Sequence, residues 1–217
     1  MKDDAVTAGR GFLVIAGAKV YFILASALIA LGLPRMLGDP ALFGQFKVVS
    51  SLLTVFNMVL ITGAIQTVSR LTSGADAGVE VRRTALKIQA VLGGAIAGGL
   101  AAFAGPLSTW LFRDASLAVY VRVGAIVIFC YALYAVFVGL INGMKRFVVQ
   151  ASLDMLFSTL KAGLIVGLVL AGAGVLGAFV GFASAAVVTA MVAAVLAARV
   201  LPKESGEPVP VRKVLTL

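Results

Sequence analysis

VRVGAIVIFCYALYAVFVGL, residues 121–140, carries one charged side chain, Arg122, in twenty residues. Twenty residues of helix rise about 30 Å, the thickness of a bilayer's hydrocarbon core, and no Pro, Asn or Asp punctuates the run. The stretch predicts one membrane crossing. Similar runs lie on both sides of it, at residues 11–33, 48–66, 85–103, 147–170 and 175–197, parted by short segments that hold most of the charge. The prediction is an all-α membrane protein: a six-transmembrane-helix bundle over residues 1–200. The first run is longer than the apolar core of a signal peptide, and Asp3 and Asp4 spoil the basic flank such a peptide needs, so it reads as a retained span.

Composition points the same way. Of 217 residues 61% are hydrophobic and 12% charged, against about 25% charged in soluble domains. A soluble fold of this size leaves roughly 30% of its chain surface exposed and could not hide so much apolar area. There is no His, and Cys130 is the single cysteine. Imidazole acid–base chemistry, most catalytic triads, the commonest metal ligand and an internal disulfide are thereby removed. No catalytic residue, metal site or cofactor is predicted, and the chain is not expected to be an enzyme. In a bilayer the net charge of +9 reports topology and anionic headgroups rather than nucleic acid.

Orientation follows from the loops. With the N-terminus inside, twelve of the eighteen Lys and Arg fall in cytoplasmic segments and only Arg35, Lys47, Arg113 and Arg122 on the other side. The excess predicts both termini in the cytoplasm. The segment 106–117, with Trp110, Phe112 and Arg113 beside Asp114, suits the outer interface. All six prolines are expected in loops or in the tail, leaving no span broken. Small-residue rows at Gly94 and Gly98, at Gly163, Gly167 and Ala171, and at Gly177, Gly181 and Ala185 predict close helix packing. Residues 201–217 turn polar and read as a cytoplasmic linker ending on the start of another element.

The informative residues are the polar ones in apolar surroundings, because a Lys at a helix centre costs ~2.5–3.5 kcal/mol on insertion scales. Lys19 lies eight residues into the first run, with Ser26 two turns on; it either snorkels to the interface or faces a cavity, the reading preferred here. Gln150, Asp154, Ser158 and Lys161 fall within roughly 80° of one face at 100° per residue, with Lys145 and Arg146 at the end of that face. Seven residues set Asp154 and Lys161 about 10 Å apart along the axis, too far for easy neutralisation. Lys47, Ser50, Ser51, Thr54 and Asn57 cluster on the second run. A hydrophilic, net cationic interior shared by runs one, two and five would attract phosphate or pyrophosphate and repel cations. Tyr131, Tyr134 and Phe137 read as packing or lipid-facing aromatics.

LPRMLGDPALFGQF at 33–46, after an apolar run with an internal Lys, resembles the first inter-helix connection of polysaccharide flippases, members of the multidrug/oligosaccharidyl-lipid/polysaccharide exporter superfamily. GAIQTVSRLT at 63–72 is similar to that family's second-span exit, and GLINGMKRF at 139–147, continuing through Asp154 and Lys161, to its fourth-to-fifth connection. The resemblance implies two six-helix lobes moving a polyprenyl-pyrophosphate-linked oligosaccharide, for surface polysaccharide such as lipopolysaccharide, or a peptidoglycan precursor, across the inner (cytoplasmic) membrane by alternating access. This sequence would supply the N-terminal lobe, its partner being a second lobe of the same full-length chain or another subunit. The pyrophosphate-holding role falls on Lys19, then Lys161, Arg146 and Lys47, with Asp154 and Gln150 completing the face. Two other readings are a drug/cation antiporter of the same superfamily, coupled through Asp154, and an assembly subunit that transports nothing.

Overall fold

The computed structural model describes residues 2–73 and 79–200, with side chains over 15–73 and 82–199. No strand occurs among the described residues. Six long helices follow one another in the described residues: α1 (Lys2–Leu37), α2 (Pro40–Thr72), α3 (Val79–Ala102), α4 (Leu117–Gly143), α5 (Phe147–Leu168) and α6 (Gly174–Val200).

Capping chemistry sets the first boundary. Gly38 takes φ 69°, Asp39 accepts a hydrogen bond from the Ala41 amide at 2.7 Å, and Pro40 opens α2 at the position where its missing N–H costs nothing. Consequently α2 begins eight residues before the expected 48 and runs six past 66, which puts Lys47 inside the helix. The expectation for the prolines needs correcting. Pro34 lies inside α1 one turn from its end, Pro40 starts α2, and Pro106 closes the short helix Ala104–Pro106. At a helix terminus Pro forfeits little, because the ladder is already running out. Pro202, Pro208, Pro210 and the linker 201–217 lie outside the described residues.

The central helix is α4. It packs against α2, α3 and α6, while α1 joins through α5, which lies on α6. Val121, Val127, Ile128, Leu140 and Ile141 are fully buried. Glycines set the closest approaches: a Cβ on Gly124 would sit 2.7 Å from Leu53 Cδ1, and one on Gly139 would sit 2.8 Å from Val68 Cβ. The small-residue rows are therefore only partly as expected. Gly177 and Gly181 make tight contacts, but a Cβ at Gly98, Gly163 or Gly167 would meet nothing within 4 Å.

Among the described residues five stretches are long and apolar enough to cross a membrane; the last, Phe147–Arg199, has 53 residues. Extended straight it would measure about 80 Å. It doubles back instead, through the π-helical turn Val169–Ala173 with Gly172 at φ 87° and Gly174 at φ 55°, so that α5 and α6 pack on each other. Between α3 and α4, Asp114 Oδ1 accepts from the Ser116 hydroxyl (2.6 Å) and amide (2.9 Å), and Gln45 of α2 donates to Oδ2 at 3.0 Å. These bonds, the Ser116 hydroxyl first, hold the Asp114 carboxyl below its ordinary value. Trp110, 86% exposed, projects beside this turn.

Candidate functional site

Because α1 meets α2 only loosely, a hollow of about 170 Å³ opens among α1, α2, α5 and α6, lined by Ser26, Lys47, Ser50, Thr54, Lys161 and Phe182 among others. Lys47, Ser50 and Thr54 recur at helical spacing on one face of α2. Facing them is Lys161 of α5, whose ammonium lies 4.4 Å from the centroid of the Phe182 ring and 5.9 Å from that of Phe157. Lys47 stands 5.9 Å over Phe43. Ring faces are a partial substitute for water around a cation, but they carry no formal charge. Thr54 spends its proton on the Ser50 carbonyl at 2.8 Å, whereas the buried Ser50 hydroxyl has no protein partner. The hollow thus presents two cations and a hydroxyl free to donate.

A second polar group lies nearer the N-terminal ends of α1 and α5. Lys19 approaches Asp154 Oδ2 at 3.6 Å, an ion pair longer than a hydrogen bond, and the Tyr134 hydroxyl donates to Oδ1 at 3.1 Å. Tyr21 and Thr159 share a hydrogen bond at 2.8 Å along the same seam. Both contacts stitch α1 to the lobe.

The site residues named from the sequence therefore divide. Lys47 and Lys161 meet at one hollow; Lys19 and Asp154 pair with each other outside its lining. Gln150 is half-buried with its carboxamide oxygen unpartnered. Arg146 is exposed at the start of α5, about 22 Å along the axis from Lys161. Ser158, 2% exposed, donates to the Asp154 carbonyl and faces the packed interior. Sequence reasoning missed the aromatic lining. Phe43 with Lys47 and Phe157 with Lys161 are i, i+4 pairs that could have been noticed, whereas Phe182 becomes a partner only through the α5–α6 turn. Among the described residues no group of His, Cys, Asp and Glu could hold a metal ion.

The profile of one protein family, described as polysaccharide biosynthesis protein, matches residues 8–215. The chain belongs to that family. The match covers nearly the whole sequence and agrees with the resemblance to the flippase and exporter superfamily. No curated protein and no solved structure matches the chain. Membership in the polysaccharide biosynthesis family and the series of long apolar helices make this a multi-pass membrane protein of polysaccharide synthesis or export.

Proposed function

We propose that the chain is one lobe of a flippase that carries a polyprenyl-pyrophosphate-linked oligosaccharide across the inner membrane. The observation that supports it best is the shared hollow of Lys47 and Lys161. Two ammonium groups on one cavity repel each other, and nothing anionic lines it; a diphosphate would relieve both. In this reading α5 and α6 cross separately, giving six spans with both termini cytoplasmic, as the distribution of Lys and Arg favours. Lys19, Asp154, Gln150 and Arg146 form the route from the cytoplasmic mouth, and Lys47 and Lys161 hold the headgroup deeper. The lipid tail stays in the bilayer while this lobe rocks against a second one. No bond is made or broken, so the chain acts as a transporter, not an enzyme.

A drug/cation antiporter would need an available carboxylate; Asp154 gives Oδ1 to Tyr134 and faces Lys19 with Oδ2, which makes no hydrogen bond. The test is translocation and lipid-pyrophosphate binding in full-length protein with Lys161→Gln and Lys19→Ala. Losing a charge-assisted hydrogen bond of ~1.5–3 kcal/mol predicts binding about 10- to 150-fold weaker for Lys161→Gln. Unchanged affinity and transport in both variants would defeat the assignment.

A further inference from the structure

A second groove lies elsewhere on the lobe. Both α2 and α3 rest on α4 but touch each other only loosely, leaving a slot of about 380 Å³ between them. Its walls are apolar side chains, including Val59, 72% exposed, and Leu92, 47% exposed. Two polar side chains interrupt them: Thr67, and Gln89, 9% exposed, whose carboxamide oxygen has no partner. A buried amide left unpaired in hydrocarbon is costly, so the slot wants an occupant that is mostly apolar and polar at that level.

The ends of the slot say which. Arg82 precedes Ala85 by three residues and Gln89 by seven; Arg70 follows Thr67 by three and Gly63 by seven. Both arginines therefore continue the slot-facing rows of their helices, at the same end. From Gln89 to Ile96 the slot extends about 10 Å, two thirds of the ~15 Å depth of one leaflet's hydrocarbon, enough for the upper part of an acyl chain. Cations, then an amide, then an apolar wall is the order of phosphate, ester carbonyl and acyl chain in a phospholipid. The carboxamide can turn its N–H to the ester, its two ends being interchangeable in shape.

We propose that the groove between α2 and α3 binds one anionic bilayer phospholipid, its phosphate on Arg70 and Arg82, its ester at Gln89 and one acyl chain along Val59, Gly63 and Leu92. This site is distinct from the cationic hollow among α1, α2, α5 and α6, and it does not depend on what the transporter carries.

Native mass spectrometry of the purified full chain, released from micelles doped with equal phosphatidylglycerol and phosphatidylcholine, tests it. Wild type should retain one phosphatidylglycerol in preference to phosphatidylcholine. Arg70→Gln with Arg82→Gln should weaken that retention about fivefold per charge removed, near the value of one cation at an anionic surface. Gly63→Leu fills the slot, where an added Cβ meets nothing within 4 Å, and should abolish retention. Equal retention of the two lipids by wild type, or wild-type retention in the double arginine variant, overturns the proposal. So does lipid kept by Gly63→Leu, or a wild-type dimer that lipid does not disperse and Gly63→Leu does, which would assign the groove to a second copy. If Gly63→Leu does not fold, the surface arginine variant decides alone.

Discussion

Replacing Gly181 with Ala adds one carbon where α5 and α6 run backbone to backbone. The new Cβ would lie 2.7 Å from the Leu164 carbonyl carbon and 2.8 Å from the Ile165 nitrogen, about 0.7 Å inside the 3.4 Å at which ordinary contact begins. Those atoms are main chain, so no rotamer change relieves the clash and the helices must part. Overpacking of this kind costs ~1–3 kcal/mol, and the better helix propensity of Ala returns up to ~1 kcal/mol. A net loss of about 1–2 kcal/mol should lower the thermal midpoint by roughly 2–8 °C for a chain of this size. The control is Gly167→Ala on α5, where an added Cβ meets nothing within 4 Å; it keeps the Ala advantage and should unfold at or slightly above the wild-type temperature. Circular dichroism of the two variants in one detergent reads the difference. Equal midpoints, or the opposite order, would refute the packing of α6 on α5 and with it the geometry that brings Phe182 to Lys161.

Topology can be read by thiol labelling in cells. In a background with Cys130, which is buried, replaced by Ala, a membrane-impermeant maleimide should reach Ala115→Cys from outside and Ser73→Cys only after the membrane is opened; the reverse pattern would invert the orientation. Asp114 makes the lobe acid-sensitive in a defined direction. Its folded-state pKa is depressed from the ordinary 3.8, so its contribution is present above that value and lost as pH falls through the folded one. The gap in thermal midpoint between wild type and Asp114→Asn should be present at neutral pH and close under acid; a gap that widens there would contradict the hydrogen-bonded turn. Tyr134→Phe removes the donor to Asp154 Oδ1 and should cost about 1.5 kcal/mol of stability in denaturant titration, and no change would show that the carboxylate is satisfied some other way.

Much of the architecture was legible because hydrocarbon imposes a simple rule, long apolar runs with internally paired backbones, and all six runs became helices with ends shifted by up to nine residues. Those shifts were hidden because helix ends in such a chain are set by local capping rather than hydropathy: Gly38, Asp39 and Pro40 fix the start of α2 at a point where composition still reads as loop. Close approaches were legible only by type. Gly139 and Gly143 form a small-xxx-small step on α4 that meets α2, whereas the equally regular Gly163 and Gly167 meet nothing, and spacing alone does not say which face has a neighbour. For the site, charge in an apolar run singled out Lys19, Asp154 and Lys161, but pairing depends on which helices touch. Asp154 went to Lys19 because α1 lies on α5, and Lys161 went to Lys47 because α2 stands off from α1.

That division of partners carries a consequence for the cargo. Taken along α5, the first ionisable group is balanced by a neighbour of opposite charge and the second is not. Lys161 has two phenyl rings and another ammonium for company, an arrangement that a packing role alone would not favour, since Leu or Met would fill the same space without the ~2.5–3.5 kcal/mol insertion cost of a lysine. In the flippase proposed above an anionic headgroup would offset that cost, so the hollow would bind its cargo by relief of its own repulsion and release it when that relief is withdrawn. A lobe that tolerates an uncompensated pair in the empty state and is neutralised by a diphosphate in the loaded one has a built-in difference between the two. Such a difference is what a transporter needs if loading is to bias its conformation.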